Sequence, residues 1–169
     1  CRDSFVHNLA SYVRELGPEV ITMRVGFPLE LIDSINPDLV FFSPGPGTPE
    51  SFGLHAVIEA VVSKNIPIFG VCLGHQAIGQ YFGATLKQLP APRHGKPSRI
   101  THRQSGLFNG IAQNVEVGRY HSLYLDASSV PTTLEIVAET TDYFDDSASI
   151  VVPMAFAHKT LPIASVQFH

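Results

Sequence analysis

Ile66-Pro67-Ile68-Phe69-Gly70-Val71-Cys72-Leu73-Gly74-His75-Gln76-Ala77-Ile78-Gly79-Gln80-Tyr81-Phe82-Gly83 runs from a strand into a helix with a cysteine at the turn. Ile66 to Val71 is short, apolar and rich in β-branched residues, as a strand buried on both faces should be. Ala77, Ile78, Tyr81 and Phe82 then recur at helical spacing. Between the two lies Gly70-Val71-Cys72-Leu73-Gly74, the cysteine counterpart of the G-x-S-x-G elbow, in which a strained turn lifts a nucleophile out of the sheet edge. Glycines two residues to either side remove the Cβ atoms that would collide there. A cysteine at a helix N-terminus also feels the positive end of the helix dipole, which favours the nucleophilic thiolate. The N–H of Leu73 would then point where an oxyanion forms after attack on a carbonyl. Against this stands the ordinary fate of a free cysteine, a small buried hydrophobe.

Upstream of the elbow, the chain alternates helix and strand. Asp3 or Ser4 can cap a helix whose apolar stripe is Phe5, Leu9, Tyr12, Val13 and Leu16, and Gly17-Pro18 ends it. Val20 to Val25 reads as a strand, Leu29 to Ile35 as a short helix, Leu39 to Phe42 as a second apolar strand and Leu54 to Ser63 as a helix returning to the elbow strand. Strands separated by helices predict parallel βαβ units. The loop Ser43-Pro44-Gly45-Pro46-Gly47-Thr48-Pro49 follows a strand's carboxyl end, where ligands bind in open α/β sheets. Taken alone, it reads equally as a rigid turn. It lacks a Gly-Lys-Ser/Thr phosphate-loop ending, and no G-x-G-x-x-G occurs elsewhere.

Downstream of Gly83 the texture becomes strand-like, over Ala84 to Leu89, Ser98 to His102, Val115 to Leu125, Leu134 to Thr140, Ile150 to His158 and Pro162 to Phe168. This predicts an antiparallel or mixed extension of the parallel sheet. The basic stretch Arg93-His94-Gly95-Lys96-Pro97-Ser98-Arg99 reads as a solvated loop or a contact surface. Thr140 to Ser149, with Asp142, Asp145 and Asp146, matches no EF-hand spacing and reads as a solvated turn. His121 lies mid-strand, where a histidine bonded to backbone is the ordinary case. His169 follows the strand Ile163 to Phe168 and emerges on the same rim as Cys72 if that strand runs parallel to the elbow strand; a histidine there can act as base to a cysteine distant in sequence.

The whole chain bounds the rest. Its 169 residues favour one domain, and 44% hydrophobic with 15% charged residues describes a globular chain. A net charge of −4 without a long Lys/Arg run argues against nucleic acid or an acidic membrane surface as the main partner. No apolar run reaches the length of a membrane span. Two cysteines make no disulfide framework and a nucleophile needs a free thiol, so a reducing compartment, the cytoplasm, is expected. Eight histidines fall into no zinc pattern, and neither metal nor cofactor is expected. Both ends look abrupt, as in a domain trimmed at each terminus.

Four motifs taken together resemble the class I (triad) glutamine amidotransferases: Ser43-Pro44-Gly45-Pro46-Gly47, Gly70 to Gln76, Arg119-Tyr120-His121-Ser122-Leu123 and Val166-Gln167-Phe168-His169. The resemblance spans most of the chain and implies a three-layer α/β fold, with a mostly parallel central sheet, helices on both faces and an antiparallel extension. Within the class, His94-Gly95-Lys96-Pro97-Ser98 is similar to the glutaminase component of anthranilate synthase, with aminodeoxychorismate synthase as the near alternative. The resemblance implies that Cys72 attacks the side-chain amide of L-glutamine with His169 as base. It also implies an oxyanion hole from the N–H groups of Leu73 and Gly47, and substrate contacts from Gly45, Pro46, Gly47, Gln76, Ser122 and Leu123. Ammonia would pass to a chorismate-using synthase as separate subunit or fused domain. In that family a glutamate two residues after the histidine orients it, and this sequence stops at His169. A non-catalytic module of the same fold and another elbow hydrolase are the competing expectations.

Overall fold

The computed structural model describes residues 4–144 and 148–169. Helix α1 (Ser4–Glu15) ends at Gly17, whose φ of 98° is left-handed. Helix α2 (Glu30–Ile35), strand β1 (Val40–Phe42), helix α3 (Leu54–Ser63), strand β2 (Ile68–Val71) and helix α4 (Leu73–Tyr81) follow in alternation. The strands β3 (Leu86–Arg99), β4 (Thr101–His102), β5 (Glu116–Leu125), β6 (Leu134–Tyr143), β7 (Ser149–His158) and β8 (Ile163–Val166) complete the chain.

Six strands form one sheet in the order β1-β2-β8-β7-β6-β4. The β1–β2 and β2–β8 pairs are parallel, and from β8 outward every pair is antiparallel, so a parallel half carries an antiparallel extension. Strands β3 and β5 pair separately as an antiparallel ribbon. Alternating side chains divide the core between the two faces of the sheet, and in β7 an irregularity in its pairing with β6 near Ala155 shifts the alternation, so that Met154 and Phe156 face opposite sides. Phe42, Ile68, Ile163 and Phe156 meet the apolar sides of α3 and α4, while Val71, Val166, Met154 and Val152 join Leu89 and Tyr124 of the ribbon.

Three sequence expectations change. Val20 to Val25 is rich in β-branched residues but forms no strand, because no strand among the described residues pairs with it; Val20 and Val25 line an apolar cavity of about 450 Å³ together with Val6, Leu9, Val13 and Val40. Arg93 to Arg99 is part of β3 rather than a loop, held against Glu116–His121 of β5 despite its glycine and proline. Thr140 to Tyr143 extends β6 and is no solvated turn, since Thr140 and Asp142 are buried; Asp145 and Asp146 lie outside the described residues.

Candidate active site

Parallel pairing places the site. Val71 lies opposite Val166, so Cys72 and His169 both leave the carboxyl ends of adjacent parallel strands. The Cys72 N–H donates to the Val166 carbonyl at 2.9 Å. Phe42 lies opposite Gly70, so the Ser43 to Pro49 loop departs from β1 beside the elbow. In that loop Pro46 and Gly47 are exposed, and Gly47 takes a φ of 76° that only glycine adopts without strain.

At the elbow Cys72 itself has φ 54° and ψ −101°. A non-glycine residue there is strained by about 1–3 kcal/mol, a state kept only where the surroundings enforce it. The flanking glycines enforce it. A Cβ on Gly70 would lie 2.7 Å from the Gly74 carbonyl carbon, and one on Gly74 would lie 2.3 Å from the Phe42 carbonyl oxygen. Cys72 forms no disulfide and is buried at the N-terminus of α4, and its carbonyl accepts the first helical bond, from Gln76 N–H at 3.0 Å.

His169 is half-buried; its N–H donates to the Gly118 carbonyl at 3.0 Å and its ring meets the Tyr120 ring edge-on at 5.3 Å. Gln76 is buried, and its Nε2 donates to the Leu123 carbonyl and to Gln167 Oε1, each at 3.0 Å. It therefore ties the helix that starts at the cysteine to β5 and to the segment leading to His169. Ser122 and Leu123 lie where the ribbon is irregular: Gln88 pairs with Leu123 and Arg93 with His121, so Leu89 to Pro92 bulges opposite Ser122, which has no cross-strand partner.

Four residues around the site were assigned no role in it from sequence. His75 is fully buried against Phe156, its Nδ1 2.8 Å from Ser165 Oγ, and burial, aided by the neighbouring His121, lowers its pKa to about 3. Arg119 is fully buried and grips Asp142 through two bonds of 2.7 and 2.9 Å. Burial pushes the Asp142 carboxyl up, but the bonds and charge of Arg119, with Arg93 adding to them, hold it below its ordinary value. Gln167, also fully buried, receives the Gln76 amide. The detectable signal was periodicity: Ala138, Thr140 and Asp142 share one face of β6, so alternation points Asp142 inward. His121 is the backbone-bonded histidine expected, with Nδ1 2.8 Å from the Leu123 carbonyl. Its pKa falls to about 4, first through burial, then through the Arg119 guanidinium. Among the described residues no group of His, Cys, Asp and Glu is arranged to hold a metal ion, and no helix is long and apolar enough to cross a membrane.

A family model described as glutamine amidotransferase class-I matches residues 1–169. Anthranilate synthase of Azospirillum brasilense is 41% identical over 167 residues, which are 99% of this chain and 22% of that protein. Anthranilate synthase component 2 of Pseudomonas putida is 41% identical over 99% of this chain and 83% of its own length. Aminodeoxychorismate synthase component 2 of Serratia marcescens is 40% identical, with 99% and 86% covered. The fold is shared with the crystal structure of a glutamine amidotransferase from Thermotoga maritima, at a TM-score of 0.72 and 18% identity over 95% of this chain and 68% of that one.

Proposed function

The chain belongs to the class-I glutamine amidotransferases, of the anthranilate or aminodeoxychorismate synthase component 2 type, and from that premise we propose that it hydrolyses L-glutamine at Cys72 and supplies ammonia to a chorismate-using synthase. The observation that carries this reading is the strained Cys72 elbow, with His169 at the end of the adjacent parallel strand.

In this mechanism the Cys72 thiolate attacks the glutamine side-chain carbonyl carbon while His169 holds the thiol proton. The N–H groups of Leu73 and Gly47 stabilise the tetrahedral oxyanion. As the C–N bond breaks, His169 gives its proton to the leaving nitrogen, which departs as ammonia. Water, deprotonated by His169, then cleaves the glutamyl thioester to glutamate and regenerates the thiol. Gly45, Pro46 and Gly47 form one wall for the substrate; Gln76 and the Ser122–Leu123 backbone hold its amino-acid end. The reaction consumes glutamine and water, yields glutamate and ammonia, and needs neither metal nor cofactor. A reducing compartment such as the cytoplasm suits the thiol. Residues 1–169 act as one domain.

The anthranilate branch, serving tryptophan biosynthesis, is the preferred product line, supported by His94-Gly95-Lys96-Pro97-Ser98 on the outer ribbon strand; aminodeoxychorismate is the alternative, at nearly equal identity. The test measures ammonia and glutamate from glutamine, alone and with a synthase, for wild type and Cys72→Ser. Loss of glutamine-dependent but not ammonium-dependent synthase activity in the variant is expected, and the synthase product separates the two branches. Unimpaired glutamine hydrolysis by Cys72→Ser would falsify the reading.

A further inference from the structure

Asp142 and Arg119 form a buried ion pair that stability alone does not explain. Arg119 has no exposed surface and Asp142 is 4% exposed, and desolvating two charges offsets most of their attraction, so well-packed apolar residues often serve as well. The pair also reaches further. Arg93 Nη2 of β3 lies 3.2 Å from Asp142 Oδ1, and Arg119 Nη1 donates to Ser98 Oγ at 3.1 Å, so a carboxylate at the end of β6 fastens both ribbon strands to the main sheet.

Beyond the pair, Arg119 Nε lies 2.9 Å from His121 Nε2. A guanidinium nitrogen only donates, so His121 Nε2 must accept and its proton must sit on Nδ1. Nδ1–H then donates to the Leu123 carbonyl at 2.8 Å, which also receives Gln76 Nε2 at 3.0 Å. Two donors from two elements thus clamp one carbonyl. The clamp falls where the ribbon's own ladder is interrupted, beside Ser122.

We propose that Asp142 is a positioning residue for glutamine: acting through Arg119, it fixes the His121 tautomer and thereby the orientation of the Leu123 carbonyl and of the Ser122 peptide that holds the substrate. This rests on the glutaminase reading above. Asp142 touches no reacting atom, so its effect falls on glutamine binding more than on chemistry. Arg119→Lys keeps a positive charge for Asp142 but removes the Nε–H that dictates the tautomer. His121→Asn can keep a donor where Nδ1–H stands, whereas His121→Ala cannot.

The test uses the full protein with its synthase, measuring glutamine KM and kcat, ammonium-dependent synthase activity, and the His121 tautomer by 15N NMR. Wild type should show the proton on Nδ1. Asp142→Asn and Arg119→Lys should mix the tautomers and raise glutamine KM about tenfold or more, with kcat changed less and ammonium-dependent activity retained. His121→Asn should raise KM less than His121→Ala. A purely structural role would lower the active fraction and leave KM and tautomer unchanged in the molecules that fold, and that result overturns the proposal. If Asp142→Asn fails to fold, Arg119→Lys and the His121 pair decide the same point. Wild type that keeps the Nδ1 tautomer yet releases no ammonia from glutamine defeats the glutaminase reading, while an Nε2 proton in wild type defeats the positioning chain itself.

Discussion

Gly74, in the first turn of the helix after the nucleophile, lies so close to β1 that a Cβ built on it would stand 2.3 Å from the Phe42 carbonyl oxygen. The neighbour is backbone in a paired strand and cannot swing aside. Gly74→Ala must therefore push α4 off the sheet or bend β1. Overpacking a filled site costs about 1–3 kcal/mol, and a backbone collision belongs at the upper end. Urea unfolding should show that loss, with glutamine turnover falling further because the elbow moves. A variant as stable and active as wild type would mean that the helix does not sit this close.

Acid should destabilise the fold as soon as the pH falls below about 6.5. His75 and His121 have folded pKa values of about 3 and about 4 against an ordinary 6.5. In the unfolded chain both rings take up protons near 6.5, so below that pH the unfolded state binds more protons and stability falls. The slope is about 1.4 kcal/mol per pH unit per histidine, running from 6.5 down to about 4, where His121 begins to protonate in the fold. Asp142, held below its ordinary 3.8, adds a further loss as the pH drops from about 3.8 through its lowered value. Denaturation midpoints from pH 7.5 to 4.5 check this: His121→Asn should be less steep than wild type, and an equal slope would refute the assignment.

If the proposed glutaminase reading holds, the exposed face of β3 is expected to contact the synthase. Lys96 is exposed, while Arg93, on the same strand, bonds to the buried Asp142, so a partner seated on this strand is mechanically linked to the site. Lys96→Glu is expected to weaken complex formation or the response of glutamine hydrolysis to chorismate by about 1 kcal/mol or less if the charge sits at the rim. Titration calorimetry and coupled assays at two ionic strengths measure it. Unchanged assembly together with unchanged coupling would remove this strand from the interface.

Among the described residues β1 has a strand on one side only, and the apolar cavity borders it. Open strand edges pair with other chains. The 169-residue chain should therefore associate as its concentration rises, and Leu39→Lys, at a position 49% exposed beside that edge, should suppress this without changing the circular dichroism. Sedimentation at increasing concentration distinguishes the two chains; identical behaviour would clear the edge of responsibility.

Much of the parallel half was legible because each element carries its own signal. The α3 range follows from one apolar stripe, and the elbow from a glycine spacing that carries its own signature, the collision at Gly70 being within the motif although that at Gly74 is with Phe42 of β1. Arg93 to Arg99 and Thr140 to Tyr143 were misread because their order depends on distant partners: a proline- and glycine-bearing stretch becomes strand against β5, and a lone aspartate becomes internal against an arginine 23 residues away. Val20 to Val25 shows the reverse, strand composition without a partner. Cys72 and His169 could be brought to one rim from sequence because sheet polarity fixes strand ends. Arg119, His75 and Gln167 could not, since nothing in a polar residue's identity announces that it will be buried and satisfied.

Position 72 also allows a direct measurement of backbone strain. Cys72→Ala keeps a Cβ at φ 54°, whereas Cys72→Gly removes it. Glycine next to a helix is ordinarily worse than alanine, but at a positive φ the order inverts by about 1 kcal/mol or more. Cys72→Gly should thus melt above Cys72→Ala by roughly 2–4 °C. Alanine as stable as glycine would show a relaxed elbow.

That inversion bears on what selection has been acting upon. Drift under a demand for folding alone would carry position 72 towards glycine, the residue that its φ of 54° favours, and the thiol would be lost without harm to the fold. Folding and chemistry therefore make opposite demands on position 72: the backbone there favours glycine, and only a use for the thiol would favour cysteine.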